Sequence, residues 1–148
     1  MTKSLILMFA AAGVATLGLA GPAHASTVDC AQQQLRADTP NILIVTCTEA
    51  EGDQRRGLST VINNTDQAIQ LTELVSLISF PEYGTTDCGP SRLQPVMLQP
   101  GTQLACSSPW VLAAHTWNVT RAAAFTLVRV TEAQGRYTTL SVPVYTYY

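Results

Sequence analysis

The sequence is built of short segments rich in β-branched residues, with turn-forming residues roughly every 8–15 positions. The segment 41–47, Asn-Ile-Leu-Ile-Val-Thr-Cys, is apolar on both faces, which is typical of a strand buried in a sandwich. Residues 63–66 and 99–102 contain Asn-Asn-Thr-Asp and Gln-Pro-Gly-Thr, which favour tight turns. No segment has the length and periodicity of a long helix. The pattern therefore predicts an all-β fold.

Seven segments are predicted to be strands: 41–47, 58–63, 69–80, 92–98, a segment through Leu104 and Cys106, 122–131 and 137–145. Glu73 interrupts the apolar phase of the third segment and predicts a β-bulge there. Pro95 places the fourth segment at a sheet edge. About seven short strands in one domain-sized chain predict a two-sheet antiparallel sandwich over residues 41–148.

Two further segments are interpreted as lying outside these strands. Residues 26–40 form a polar lead-in, with a short helical turn over residues 31–36. The charged, glycine-bounded segment 49–57 is predicted to be an exposed turn between the first two strands.

Residues 1–25 have the pattern of a signal peptide. Lys3 precedes an apolar run from Leu5 to Ala20, and Ala23-His24-Ala25 has the small residues of a cleavage site. The alternative is an uncleaved membrane anchor, but the run is shorter than the ~20 apolar residues that span a bilayer. No second apolar run follows it. We expect cleavage after Ala25 and a secreted or extracytoplasmic protein with no membrane span in the mature chain.

The charge of the cleaved chain excludes two classes of function. Its seven basic residues are all arginines, and ten carboxylates leave a net charge of about −3. Nucleic-acid binding and polybasic membrane attachment both require a basic stripe, and the sequence shows none. The alanine-rich composition, with arginine in place of lysine, suggests a bacterium with a GC-rich genome.

All four cysteines follow the predicted cleavage site: Cys30, Cys47, Cys88 and Cys106. An even number in an exported domain predicts two disulfides, and four cysteines allow three connectivities. The alternative is a zinc site. Neither cysteine pair has the spacing of a zinc knuckle, and His115 is the single histidine after the cleavage site. No metal or other cofactor is expected.

The sequence predicts no enzymatic activity. His115 is the sole candidate for a general base, and no serine lies in a nucleophile motif. Glu49, Glu51 and Asp53 could form a glycosidase-like carboxylate pair, but solvated charge is the usual state of such residues on an exposed turn. No glycine-rich phosphate loop is present.

Four aromatic or imidazole side chains are candidates for a recognition surface: Tyr83, Trp110, His115 and Trp117. The alternative is that the tryptophans lie in the core, since a sandwich commonly buries a tryptophan against a disulfide. The core interpretation is favoured for Trp110, which follows the Cys106 strand.

An ordered series of motifs resembles a known family. The series comprises Val61–Asp66, Ile69–Leu74, Cys88, Leu98–Gly101 and Cys106. It is similar to the "conserved repeat" immunoglobulin-like domains of bacterial surface and secreted proteins, over about residues 58–110. The resemblance implies an immunoglobulin-like sandwich, a Cys88–Cys106 disulfide, and a non-catalytic structural, adhesive or ligand-presenting role.

The chain departs from that family in having one copy of the domain. It also has no lysine after Lys3, which rules out the Lys–Asn isopeptide staples found in some surface immunoglobulin-like domains. Pairing each cysteine with its nearest neighbour in sequence adds a Cys30–Cys47 disulfide to the one that the resemblance implies.

Two functions are carried forward. The first is a secreted, non-catalytic binding or structural module of the bacterial cell exterior, whose partner is an extracellular protein or a cell-surface ligand. The alternative is a secreted enzyme inhibitor acting through an exposed loop, either Glu49–Arg56 or the loop containing Cys88. An inhibitor should show a rigid, protruding, disulfide-braced loop. An adhesion module should show a flat face or pocket with exposed aromatics.

Overall fold

The computed structural model describes residues 26–36, 39–79, 83–112, 121–132 and 135–147. These residues form strands and turns, and none of their segments is a helix that could span a membrane. The strands are β1 (Thr27–Arg36), β2 (Thr39–Glu51), β3 (Gln54–Asn63), β4 (Ile69–Ser79), β5 (Tyr83–Asp87), β6 (Val96–Leu98), β7 (Gln103–Ser107), β8 (Val111–Leu112), β9 (Arg121–Glu132), β10 (Gly135–Leu140) and β11 (Val144–Tyr147).

The strands form two antiparallel sheets. The first sheet has the order β1-β2-β3-β7, and β8 also pairs with β3. The second has the order β10-β9-β4-β5, while β6 also pairs with β4 and β11 with β9. In each of these three cases, two short strands pair with different parts of one long strand. The all-β, two-sheet prediction is confirmed.

The predicted number of about seven strands is wrong, because the described residues form eleven. Strands β5 and β8 were not predicted, and the segment 137–145 is divided into β10 and β11. The lead-in is also misinterpreted: residues 27–36 form strand β1, so the helical turn over residues 31–36 is wrong. β1 lies at a sheet edge and buries only Leu35 fully, so its sequence shows no apolar alternation.

The exposed turn predicted over residues 49–57 is much shorter in the structure. Glu51 pairs with Gln54, which leaves Gly52 and Asp53 as a two-residue hairpin turn with Gly52 at φ 53°. Residues on either side belong to β2 and β3, and Arg55 is buried. The strands extend further than predicted because cross-strand pairing can satisfy charged side chains, as in the Glu49–Arg56 ion pair with its Oε2–Nε distance of 2.5 Å.

Two local predictions are confirmed. The register between β4 and β9 shifts between Leu71 and Glu73, which is the bulge expected near Glu73. The bulge allows both Leu71 and Leu74 to face the interior, where both are fully buried. At residues 99–102, the amide of Thr102 donates to the carbonyl of Gln99 (3.1 Å) and Gly101 has φ 72°, as a type II turn requires.

The interior between the sheets has two apolar clusters. The larger comprises Leu35, Ile42, Ile44, Val61, Ile69, Leu71, Leu74, Leu98, Val128 and Val130. The smaller comprises Ile78, Val111, Ala122 and Ala124. The inward positions of β2, β3, β4 and β9 that separate these clusters are occupied by hydroxyl side chains, which we call the hydroxyl layer: Thr46, Ser59, Ser76 and Thr126.

The hydroxyl layer links the two sheets by hydrogen bonds. Thr126 Oγ1 on β9 lies 2.7 Å from Thr46 Oγ1 on β2 and 2.7 Å from Ser59 Oγ on β3. Ser76 Oγ on β4 donates to the carbonyl of Gly57 on β3 at 3.0 Å. Each of the four hydroxyls in the hydroxyl layer therefore has a partner in the opposite sheet, which offsets the cost of removing it from water.

Both disulfides follow the predicted connectivity. Cys30 and Cys47 are directly opposite each other on β1 and β2, with their Cα atoms 4.0 Å apart. Cys88 follows β5 in one sheet and Cys106 lies on β7 in the other, with a Cα–Cα distance of 5.8 Å. The first disulfide therefore joins neighbouring strands, while the second joins the two sheets.

Candidate functional site: a disulfide-anchored loop beside an arginine cleft

The four predicted recognition residues are only partly described by the structure. Trp110 is half-buried just before β8, and the guanidinium of Arg56 lies over its ring, 4.4 Å from the centroid. Tyr83 begins β5, where it pairs with Ser79. His115 and Trp117 lie outside the described residues. A surface formed by all four side chains therefore stays a prediction.

Of the residues considered for catalysis, Glu49, Glu51 and Asp53 lie on the β2–β3 hairpin, and His115 lies outside the described residues. Glu49 is in an ion pair with Arg56, and Glu51 and Asp53 are exposed at the hairpin turn. Within the described ranges, no group of three or more His, Cys, Asp or Glu residues could hold a metal ion. A different feature of the structure is a better candidate site.

Residues 88–95 form the connection between β5 and β6, which we call the Cys88 loop. Its first residue is fixed by the disulfide to Cys106 and by a hydrogen bond from its amide to the carbonyl of Leu74 (2.8 Å). The next residue, Gly89, has φ 98° and donates its amide to Asp87 Oδ1 at 3.1 Å. The loop therefore leaves the sheet from a covalently and conformationally defined base.

The tip of the Cys88 loop is closed by its own hydrogen bonds. The amide of Ser91 donates to the carbonyl of Gln94, and the amide of Gln94 donates to Ser91 Oγ, both at 3.0 Å. Arg92 and Leu93 lie between these residues, and Leu93 is 95% exposed. Pro90 and Pro95 flank the tip, and each restricts the backbone to one φ region. The loop thus presents an apolar side chain on a braced turn.

A shallow polar cleft lies beside this loop, on the outer face of the second sheet. It encloses about 60 Å³, and we call it the arginine cleft. It is lined by Gln70, Thr72, Arg92, Pro95, Arg129, Thr131 and Arg136. A pocket for a drug-sized ligand is roughly 300–1,000 Å³, so this cleft can accept a single functional group of a larger molecule.

Strand register explains why these residues meet. Met97 pairs with Gln70, Gln70 pairs with Thr131, and Thr131 pairs with Arg136. Directly opposite residues in neighbouring strands point to the same face, so this row crosses β6, β4, β9 and β10 on one side of the sheet. Met97 is 50% exposed and therefore extends the row towards the Cys88 loop with an apolar side chain.

The arginine cleft is positively charged, although the whole chain has a formal net charge of −2. Arg129 forms an ion pair with Glu73, with Nη1 2.5 Å from Oε2, and its Nε donates a hydrogen bond to Thr138 Oγ1 at 3.0 Å. Arg92 and Arg136 are exposed and have no ion-pair partner among the described residues. The cleft is therefore lined by three guanidinium groups, of which only that of Arg129 is paired with a carboxylate, that of Glu73.

The chemistry of the arginine cleft favours recognition of an oxyanion. Guanidinium groups donate several hydrogen bonds in a planar fork that matches the oxygens of a carboxylate or phosphate. Thr131 Oγ1 is buried and has no hydrogen-bond partner within the described structure, and Gln70 supplies an amide. The described lining groups offer hydrogen-bond donors to an anion, and they include no histidine, cysteine or carboxylate for proton transfer.

This site could not be predicted from the sequence, because its arginines are far apart in the chain. Arg92 lies in a loop, Arg129 on β9 and Arg136 on β10. Alternation along β9 places Arg129 and Thr131 on one face, and this signal was visible in the sequence. The register with β4 and β10, and the position of the Cys88 loop, depend on long-range pairing that a single sequence does not show.

Comparisons with known proteins assign no family. No protein-family model matches the chain, and no curated protein matches it. A solved structure described as "X-ray structure of Northeast Structural Genomics Consortium target SoR45" is similar over 84% of this chain and 88% of that chain. The two share 10% sequence identity and a TM-score of 0.41. A likeness this remote assigns neither family nor function.

Proposed function

We propose that the chain is an extracytoplasmic, non-catalytic binding module built on an immunoglobulin-like sandwich. Two disulfides are compatible with an oxidising compartment outside the cytoplasm. Two facing antiparallel sheets joined by a disulfide support the immunoglobulin-like interpretation. The predicted signal peptide over residues 1–25 and the motif series over residues 58–110 support the same proposal.

The exposure of Leu93 on the Cys88 loop favours a binding role over a purely structural one. A single exposed leucine is ordinary on a protein surface. Here the side chain is 95% exposed on a turn that is held by a disulfide, internal hydrogen bonds and two prolines. A pre-ordered loop loses little conformational entropy on association, which favours its use in recognition.

An enzyme inhibitor is the second candidate function, and the same loop supports it. Inhibition through an exposed loop requires a braced segment that the target can reach, and residues 92–95 of the Cys88 loop are exposed around a hydrogen-bonded turn. The Glu49–Arg56 hairpin supports it less well, because it is regular β-structure with only its two-residue turn and the flanking residues fully exposed. In this reading, Arg92 and Leu93 enter a cleft of the target enzyme.

The binding role is tested by capture of proteins from the culture supernatant of the host organism. The wild-type domain is compared with Leu93→Ser and with a matched control, Leu112→Ser, which removes a 57% exposed leucine from β8 in the other sheet. We expect Leu93→Ser to lose a partner that the wild type and the control both retain. Equal capture by all three proteins would refute recognition through the Cys88 loop.

The same experiment separates the two candidate functions. If the captured partner is an enzyme, its activity is measured with increasing amounts of wild-type domain and of Leu93→Ser. Inhibition by the wild type alone selects the inhibitor. Unchanged enzyme activity, or a partner without activity, selects the binding module.

A further inference from the structure

We propose that the arginine cleft is a carboxylate-binding subsite that receives an acidic side chain of a peptide segment lying beside the Cys88 loop. This inference rests on the proposed function for the identity of the partner as a protein. The site itself is defined by the described residues of the outer sheet face and the loop.

The first argument is electrostatic. Arg92 and Arg136 are exposed, lie on one small cleft with Arg129, and have no ion-pair partner within the described residues. Clustering like charges costs free energy in the unliganded protein, and the cost is larger at a concave site than on a flat surface. Since Arg129 is already bound to Glu73, the two remaining guanidinium groups are available to an incoming anion.

The second argument is the unsatisfied hydroxyl at the cleft. Thr131 lies between Gln70 and Arg136 in the cross-strand row, and its Oγ1 is buried. That atom makes no hydrogen bond in the described part of the protein, and leaving a buried hydroxyl unpaired is unfavourable. A ligand oxygen placed between the two arginines would accept a hydrogen bond from it.

The third argument concerns the kind of anion. The cleft admits one functional group. Two exposed apolar residues adjoin its lining residues: Leu93 follows Arg92 in the Cys88 loop, and Met97 pairs with Gln70 across the sheet. An acidic residue beside an apolar residue in a peptide offers both kinds of contact at once. A free inorganic anion would use the arginines alone and leave Leu93 and Met97 exposed.

The test is a titration of the purified, oxidised protein with a blocked hexaglutamate peptide, followed by NMR at low ionic strength. We expect chemical-shift changes at the amides of Gln70, Thr131 and Arg136. Arg92→Ala and Arg136→Ala should each weaken binding by about threefold to tenfold, as expected for loss of one charge-assisted contact at a partly exposed site. Thr131→Val, which keeps the charge and nearly the shape, should weaken it by about twofold to fivefold.

Arg56→Ala is the matched control, because it removes the same charge from β3 in the other sheet. It should leave hexaglutamate binding within about twofold. If Arg56→Ala weakens binding as much as Arg136→Ala, attraction depends on overall charge and the cleft proposal is refuted. If inorganic phosphate displaces hexaglutamate at a lower concentration than acetate does, the site prefers a tetrahedral anion and the carboxylate assignment is wrong.

These results are distinguishable from failure of the proposed function. If hexaglutamate binding depends on Arg136 but no protein is captured through Leu93, the carboxylate subsite is supported and the binding module is refuted. If a protein is captured through Leu93 but hexaglutamate does not bind, the binding module is supported and the carboxylate subsite is refuted. Loss of both in Arg136→Ala, with an unchanged thermal midpoint, supports the two proposals together.

Discussion

At the scale of single residues, Gly57 on β3 lies against the backbone of β4 in the opposite sheet. A Cβ atom at this position would lie 2.5 Å from the carbonyl oxygen of Leu77, which is closer than real side chains approach. Because the obstructing atom is backbone, one of the sheets would have to move.

We therefore expect Gly57→Ala to lower the free energy of unfolding by about 3 kcal/mol, measured by chemical denaturation. Gly101→Ala is the comparison. Gly101 also has a special requirement, φ 72°, but nothing lies within 4 Å of its added Cβ. Its cost should be about 1 kcal/mol from backbone strain alone. A Gly101 variant less stable than the Gly57 variant would contradict the close approach of the sheets.

The hydroxyl layer provides a second comparison between single residues. Thr126→Val removes the hydroxyl that Thr46 and Ser59 both contact and leaves two buried hydroxyls without it. Thr48 is also fully buried, but its Oγ1 has no hydrogen-bond partner in the described structure. The two substitutions are chemically identical and differ only in what the hydroxyl binds.

We expect Thr126→Val to destabilise the protein by about 2–4 kcal/mol and Thr48→Val to be neutral or stabilising, since an unpaired buried hydroxyl already costs free energy. The free energies of unfolding of the two variants are measured by thermal and chemical denaturation. A comparable loss in both would mean that Thr48 Oγ1 is satisfied by an internal water molecule.

At the scale of elements, the two disulfides differ in what they connect. The cysteines of each pair are separated by 17 and 18 residues, so chain entropy predicts nearly equal stabilisation of about 3 kcal/mol. Cys30–Cys47 joins strands that are already hydrogen-bonded, whereas Cys88–Cys106 anchors the Cys88 loop to the opposite sheet.

We expect the double variants Cys30→Ala/Cys47→Ala and Cys88→Ala/Cys106→Ala to lose similar stability. Only the second should also lose partner capture, because the loop would lose its anchor while the rest of the domain remains folded. Non-reducing peptide mapping of the wild type checks the pairing first. Equal capture by both variants would show that the disulfide is not required for display of Leu93.

At the scale of the whole molecule, the predicted boundary of the mature protein is open to direct measurement. The apolar run and the Ala23-His24-Ala25 sequence predict cleavage after Ala25, so mass spectrometry of exported protein should give an N-terminus at Ser26. Recovery of the intact chain from Met1 in membranes would refute the signal-peptide interpretation.

Features that depend on residues close together in the chain could be predicted from the sequence. The all-β class, the turn at Gly101, the bulge at Glu73 and the two disulfides were predicted from composition, alternation, turn chemistry, cysteine spacing and resemblance. Apolar and β-branched segments also located β2, β4 and β9, because these central strands contribute many buried residues.

Features that depend on pairing between distant segments were visible only in the folded structure. β1 could not be predicted from apolar alternation, because an edge strand held by one neighbour shows little of it. In the sequence, the residues of the hydroxyl layer are ordinary threonines and serines, and their hydrogen bonds are visible only when the two sheets are packed together. The arginine cleft exists because strand register aligns Gln70, Thr131 and Arg136 and the disulfide holds Arg92 beside them, and neither register nor loop position is encoded locally.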